Sequence, residues 1–489
     1  MSVSMKQPQP VPHPKNITRR PLPFRVVLTL LLFMIQRPEA AGKEPVRFRL
    51  QYSGLYATYD FITRISDSYP ENKLKSVFLS SRFNTDSLRR QIAAFEQLKL
   101  DYSYAFPQFP QPLKTRLISR DLLEKNLALS ASIPEFANRS AGLVPAEDLR
   151  IMSAVLSRFQ PVYDTLIYQP SRRAFDSASR ALRDFTANGR LSRFFQAGLD
   201  FYNTSWDKDL PFEIVLTPTL DRDNLGARTF ANIAFCDVPV ALREPEELFI
   251  VAMHEIYHSL YDQQPASMKV QLQQWFDKTG SENSQYALLL MNEALATALG
   301  NGYVSEQLTG MIPDGEWYGN PYISEMAKSI YPVCRAYLAR QQPIDEAFVK
   351  AYVQAYDSAL RKQSRELAHL FSYRYVIATD NADLQAFTRH YRRYSNSRLA
   401  ATFTPSELQS ARDMPLTKVL VVSGDHLATR AMIRQCFPEL DTALPNYRKE
   451  FVHVLTLGDR TKLFLINRYR TPAIELLQHK FPGGHLQQK

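Results

Sequence analysis

Cysteine and histidine are scarce in this chain of 489 residues, with three Cys and nine His. Cys236, Cys334 and Cys436 are odd in number and far apart, and no C-x-x-C pair occurs. Neither a disulfide framework nor a thiolate zinc site is indicated, and there is room for one disulfide beside a free thiol. Internal repeats are absent, and low complexity is confined to the N-terminal leader. Beyond that leader no apolar run approaches the length needed to cross a bilayer, so the body reads as soluble. Excess charge is missing as well. The first 41 residues hold six of the 59 basic residues and one of the 49 acidic ones, so the net charge falls from +10 to +5 without them. A mildly cationic body gives no case for a nucleic-acid partner. The cluster Arg389-His390-Tyr391-Arg392-Arg393-Tyr394 is expected to be a solvated helix face.

The leader itself has a pattern. Residues 1–25 are Pro-rich and carry Lys6, Lys15, Arg19, Arg20 and Arg25 without an acid. The apolar run Val26–Ile35 follows, then the small residues Ala40-Ala41. Residues 1–41 are therefore expected to be a secretory signal peptide, and the protein secreted or periplasmic. An uncleaved signal anchor is the alternative, and a membrane is involved only in that case.

The remaining chain exceeds one typical domain. Residues 42–210 read as a mainly helical region after a strand near Val46–Leu50, with helices at 86–98 and 146–158 from their three-to-four spacing. Residues 211–340 contain strands at Phe212–Thr217 and Phe230–Cys236, and then two very apolar helices. Residues 341–412 read as amphipathic helix. Residues 413–489 read as a small α/β unit, with a strand at Lys418–Val422, a helix near 426–436 and strands at 451–457 and 462–469. Ser423-Gly424-Asp425-His426 joins the first of these strands to its helix and is expected to cap it. The fold class is thus α+β and predominantly helical, with a small mixed sheet in the middle of the chain.

The most informative positions are His254-Glu255-Ile256-Tyr257-His258, the pattern H-E-x-x-H. Chance alone would produce it in roughly one such chain per hundred, so its setting must decide. Residues 245–260 are apolar on nearly every face. Pro245 suits the first helical position, and Glu246 and Glu247 suit the positive end of the helix dipole. A helix apolar all round is a buried one. Two imidazoles four apart lie about 40° apart around its axis, so both reach one metal ion, and the intervening carboxylate can lean over a bound water. Burying these three polar groups unpartnered would cost several kcal/mol, and a shared metal ion relieves that.

A catalytic zinc wants a third protein ligand. The metzincin continuation fails, because Tyr261 stands for its Gly and Gln264 for its His. Downstream, Tyr286–Gly300 is a second apolar helix whose lone charge is Glu293, preceded by Asn292 and ended, on this reading, by Gly300 and Gly302. Asp262, Asp277 and Glu282 compete as third ligand but sit in polar surroundings. The segment 245–303 resembles the catalytic core of the gluzincin metallopeptidases, the thermolysin-like and M1-like superfamily, through H-E-x-x-H and N-E-A-L-A at 292–296. The resemblance implies one zinc ion held by His254, His258 and Glu293, with Glu255 as general base, and a gluzincin-like catalytic domain. Thirty-four residues separate His258 from Glu293, more than in the best-known members, and an extra helix at 265–276 fills that gap. The exopeptidase signature of the M1 enzymes is absent.

A hydrolytic zinc site also needs a donor for the developing oxyanion. Tyr322 is the expected donor, with Tyr318 and Tyr331 behind it. Thr297, one turn past Glu293, is placed to hydrogen-bond a ligand, or is a plain helix threonine. The strand at Phe230–Cys236 could be an edge that pairs with a substrate backbone. The expected function is an exported zinc-dependent metallopeptidase acting on a peptide or protein substrate. The alternatives are an inactive binding protein of the same fold and a non-peptide amide or ester hydrolase.

Overall fold

Eight consecutive residues, Phe212–Thr219, are buried on both faces, and they form the strand around which the middle of the chain is built. The computed structural model describes residues 46–104, 117–187, 190–220, 225–242, 244–391, 397–440 and 446–486. All belong to one compact unit, Val46–Lys489, so the expected leader lies outside the described residues. The protein is mostly helical, at 59%, with small mixed sheets.

The first sheet contains β1 (Phe48–Tyr52), β2 (Phe212–Thr219), β3 (Ala227–Phe230) and β4 (Ile233–Pro239), in the order β1-β2-β4-β3. β1, β2 and β4 are parallel, and β3 is antiparallel to β4. The single strand expected over Phe230–Cys236 is corrected. Phe230 pairs with Ile233, so the chain reverses at Ala231-Asn232, with Ala231 at φ 51°. Two-residue hairpins need positive φ and usually advertise it with Gly or Asn-Gly. An alanine in that position hides the turn. β4 is thus an interior strand, and the edge is β3.

Side chains alternate across this sheet. Ile214, Leu216, Ala234 and Cys236 face the core shared with the apolar helices, whereas Val215, Ile233 and Phe235 face a second core. That second core is built on α1 (Gly54–Ile65) and α2 (Ala146–Tyr163). Arg64 of α1 ties this layer to the sheet, reaching Asp237 at 2.8 Å and Asp60 at 2.8 Å.

The apolar segment is α3 (Pro245–Asp262), begun by Pro245 and two first-turn glutamates as the sequence implies. The expected extra helix is α4 (Ala266–Lys278). Next comes α5 (Ser284–Thr297), and here the expected termination is corrected. Gly300 and Gly302 do not end the helix. It runs on through a π-helical stretch, Ala298–Val304, to Thr309, and stops at Gly310 with φ 75°. The two inner glycines serve close packing instead. A Cβ on Gly300 would lie 2.7 Å from the Cα of His254, and one on Gly302 would lie 2.7 Å from the Trp317 ring. α6 (Pro321–Ala339) and α7 (Glu346–Ala359) complete the helical layer.

The helical reading of 341–412 holds for α7, for the short turns up to Leu370 and for helices at Asn381–His390 and Pro405–Asp413, but two strands interrupt it. β5 (Arg374–Ala378) and β6 (Ser397–Ala400) join β7 (Thr417–Val422), β8 (Phe451–Thr456) and β9 (Lys462–Asn467) in one sheet, ordered β8-β9-β7-β5-β6. β5 is buried along its whole length, and a short apolar run buried on both faces carries no period that separates strand from helix. This unit is not detached. Phe371, Val419 and Phe464 share one core with α3 and α5. The helix expected after β7 is α8 (His426–Cys436), but Asp425 makes no side-chain cap bond to it. Its φ of 42° is left-handed, a conformation unlike the extended one that capping requires. Of the basic-aromatic cluster, Arg389 and His390 close an exposed helix end, and residues 392–396 lie outside the described residues. All three cysteines are free. Among the described residues no helix is long and apolar enough to cross a membrane.

Candidate metal centre

α3 presents His254, Glu255 and His258 so that one ligand atom from each lies within 4.8 Å of the others. The imidazoles meet through their Nε2 atoms, 3.1 Å apart, with the rings nearly perpendicular at 81°. Each outer nitrogen has its own amide. His254 Nδ1 faces Asn301 Oδ1 at 3.1 Å, and His258 Nδ1 faces Asn292 Oδ1 at 2.9 Å. The Asn301 amide cannot be flipped without loss, because its Nδ2 donates to the Trp317 carbonyl at 2.8 Å. An amide oxygen only accepts, so the pinned Asn301 takes its hydrogen from His254 Nδ1 and leaves His254 Nε2 as a bare lone pair; with the Asn292 amide in the same orientation, the neutral His258 ring does likewise. Two lone pairs pointed at each other across 3.1 Å repel unless a cation or a proton lies between them.

The second helix brings a carboxylate to the same place. Glu293 Oε2, on α5, stands 3.6 Å from His258 Nε2 and is buried with no hydrogen-bond partner. A buried carboxylate oxygen left unsatisfied is costly. Two imidazole nitrogens and a nearby unsatisfied carboxylate are donors that could hold a divalent metal ion, zinc among them. Glu255 belongs to the tightest triplet and Glu293 does not, yet both carboxylates border the pair.

Electrostatics follow from burial. Burial pushes the Glu255 carboxyl up to about 7, with the nearby Glu293 charge adding to it and His258 opposing it. His254 is held well below the usual histidine range by burial and by His258. For His258 burial also lowers, but the Glu293 and Glu255 charges outweigh it and the imidazole ends up raised. Thr229 of the edge strand β3 donates through Oγ1 to the Glu255 carbonyl at 2.9 Å, tying the sheet edge to the site.

The expected oxyanion donor, Tyr322, has other partners in the structure. The Tyr322 hydroxyl donates to Glu366, and its ring packs 4.7 Å from His369. Its place at the start of α6 turns it towards Glu366 and His369, in the segment ahead of the C-terminal sheet, which the sequence does not reveal. Tyr331 donates to Glu306 and packs edge-on against Trp317. Tyr318 is the phenol that reaches the pair, stacked on His254 at 5.5 Å and 18°. Thr297 is fully buried, and its hydroxyl makes no hydrogen bond, so it contacts no ligand that way. Asp262, Asp277 and Glu282 stay outside the triplet; the Asp262 carbonyl accepts from Lys269 Nζ, and the Asp277 carboxylate accepts from Gln273. Asn301 and Gly300 are the residues that sequence reasoning missed. A glycine next to an amide in an apolar helix was the available signal, and it reads more simply as a helix end. A cavity of about 360 Å³ is lined by Glu366, His390, Tyr391, Phe481 and His485, and none of His254, Glu255, His258 and Glu293 borders it.

No protein-family model, no curated protein and no solved structure matches this chain.

Proposed function

We propose that the chain is a zinc-dependent metallopeptidase of gluzincin type. The observation that carries this reading is the convergence of two bare imidazole nitrogens, 3.1 Å apart on one helix, with an unsatisfied carboxylate from the next. His254, His258 and Glu293 would hold the ion. Zinc, when bound, polarises a carbonyl and lowers the pKa of water toward neutrality. Glu255 takes a proton from the attacking water and returns it to the leaving amine. Burial raises this carboxyl in the metal-free protein, the direction that suits a group which must both take and return a proton near neutral pH. β3 offers its outer edge to an extended peptide, and Thr229 fixes that edge to the backbone of Glu255. Tyr318, whose ring stacks on His254, would be the phenol that donates to the developing oxyanion. Export by the leader at 1–41 is part of the same proposal.

The test is zinc content together with hydrolysis of a peptide library by wild type and Glu255→Gln. Wild type should bind one zinc per chain and cleave peptides. Glu255→Gln should keep the zinc and lose roughly 10²–10⁴-fold in rate. A wild-type protein that takes up no divalent ion would end this reading.

A further inference from the structure

The helix carrying Glu293 is continuous from Ser284 to Thr309, and its one irregularity is the π-helical stretch Ala298–Val304. That irregularity has an angular consequence. In an unbroken α-helix Asn301 would lie about 80° around the axis from Glu293, at 100° per residue. With the last four steps in π geometry, at roughly 80° per residue, the offset shrinks to about zero. Glu293 and Asn301 thus share one face of the rod, two turns apart, and that face looks onto α3. Glu293 meets His258 at 3.6 Å, and Asn301 meets His254 at 3.1 Å. Gly300 lets the backbones close, because any Cβ there would collide with the N, Cα and Cβ of His254. Trp317 then fixes which way the amide faces, since its carbonyl accepts from Asn301 Nδ2 at 2.8 Å.

We propose that the π-helical stretch serves to deliver Asn301 to His254, and that Asn301 is a positioning residue that holds this imidazole as the Nδ1–H tautomer with Nε2 turned to the metal. The inference rests on the metallopeptidase reading only for what Nε2 binds; the tautomer itself is a property of the metal-free protein. Both outer partners of the histidine pair are neutral amides, so orientation, not added negative charge, is what they supply. The Ala296 backbone also hydrogen-bonds the His254 ring, so loss of Asn301 should weaken the hold without abolishing it.

The experiment compares wild type, Asn301→Ala and Asn301→Asp by zinc affinity in chelator competition. Nitrogen-15 shifts of His254 in the metal-free proteins give a second reading. Asn301→Ala should bind zinc about 10–100-fold more weakly and show a mixed tautomer. Asn301→Asp gives up the bond to Trp317 but keeps an acceptor on Nδ1–H, so it should retain near wild-type affinity despite a lower melting temperature. An Asn301→Ala protein with unchanged affinity and tautomer would overturn the assignment. So would an aspartate variant that loses as much affinity as the alanine one, since packing alone would explain both. If wild type bound no zinc, the proposed function would fail, and the tautomer would still judge this inference: Nε2–H in the metal-free wild type refutes it. That last measurement needs no variant to fold.

Discussion

Gly300→Ala separates close packing from ordinary helix propensity, because the two predict opposite signs. In a helix interior, Gly→Ala stabilises by roughly 0.5–1 kcal/mol through lost chain entropy. Here the new Cβ would lie 2.7 Å from the Cα, 2.8 Å from the Cβ and 2.9 Å from the N of His254. Carbon atoms in good contact are about 3.5–4.0 Å apart, so the helices must separate by most of an ångström. Backbone atoms cannot rotate aside, and overpacking of this kind costs about 1–3 kcal/mol. The net expectation is a loss of up to about 2 kcal/mol, read as a lower urea midpoint at constant slope. The same retreat stretches the 3.1 Å contact between His254 and Asn301 beyond hydrogen-bonding range, so zinc affinity should fall roughly 10–100-fold. Gly319→Ala is the control, since nothing lies within 4 Å of its Cβ. If Gly300→Ala unfolds at a higher urea concentration than wild type and keeps its zinc affinity, the close-approach argument is wrong.

Three further outcomes follow from the geometry. Glu293→Ala should lose zinc affinity by more than the roughly 10–100-fold typical of outer partners, and unchanged affinity in chelator competition would point to another third ligand. His369 is buried among tyrosines and pushed down to about 4 by burial. Its folded pKa lies below the unfolded value near 6.5, so the folded protein resists protonation, and stability is lost as pH falls from about 6.5 to 4. The loss amounts to about 3 kcal/mol, and His369→Phe should flatten that part of the stability–pH curve; an unaltered curve would sink the assignment. Tyr322→Phe should leave peptide hydrolysis near wild type while costing about 1 kcal/mol through its bond to Glu366, and a large fall in kcat would restore Tyr322 to the site.

The local elements were legible wherever a physical pattern was long enough. Pro245 with its two glutamates begins α3, and the apolar run from Ala287 carries α5, as the residues imply. Legibility failed where one residue type served an unusual purpose. Ala231 takes a positive φ that glycine normally signals, and Gly300, read as a stop, proves to be a gap that lets another backbone in. The C-terminal sheet began too late in the sequence reading, because the doubly buried β5 has no polar face to betray its period.

What the residues determined alone is the short-range chemistry: two histidines on one turn with a carboxylate between them, since helix geometry fixes that spacing. What only the tertiary structure decided is who faces them. Glu293 opposite His258, Asn301 behind His254 and Tyr318 across its ring come from different segments, brought together by helix packing and a π-helical twist that no sequence period records. The same packing took Tyr322 away to Glu366, because the direction of a side chain depends on the surface its helix buries.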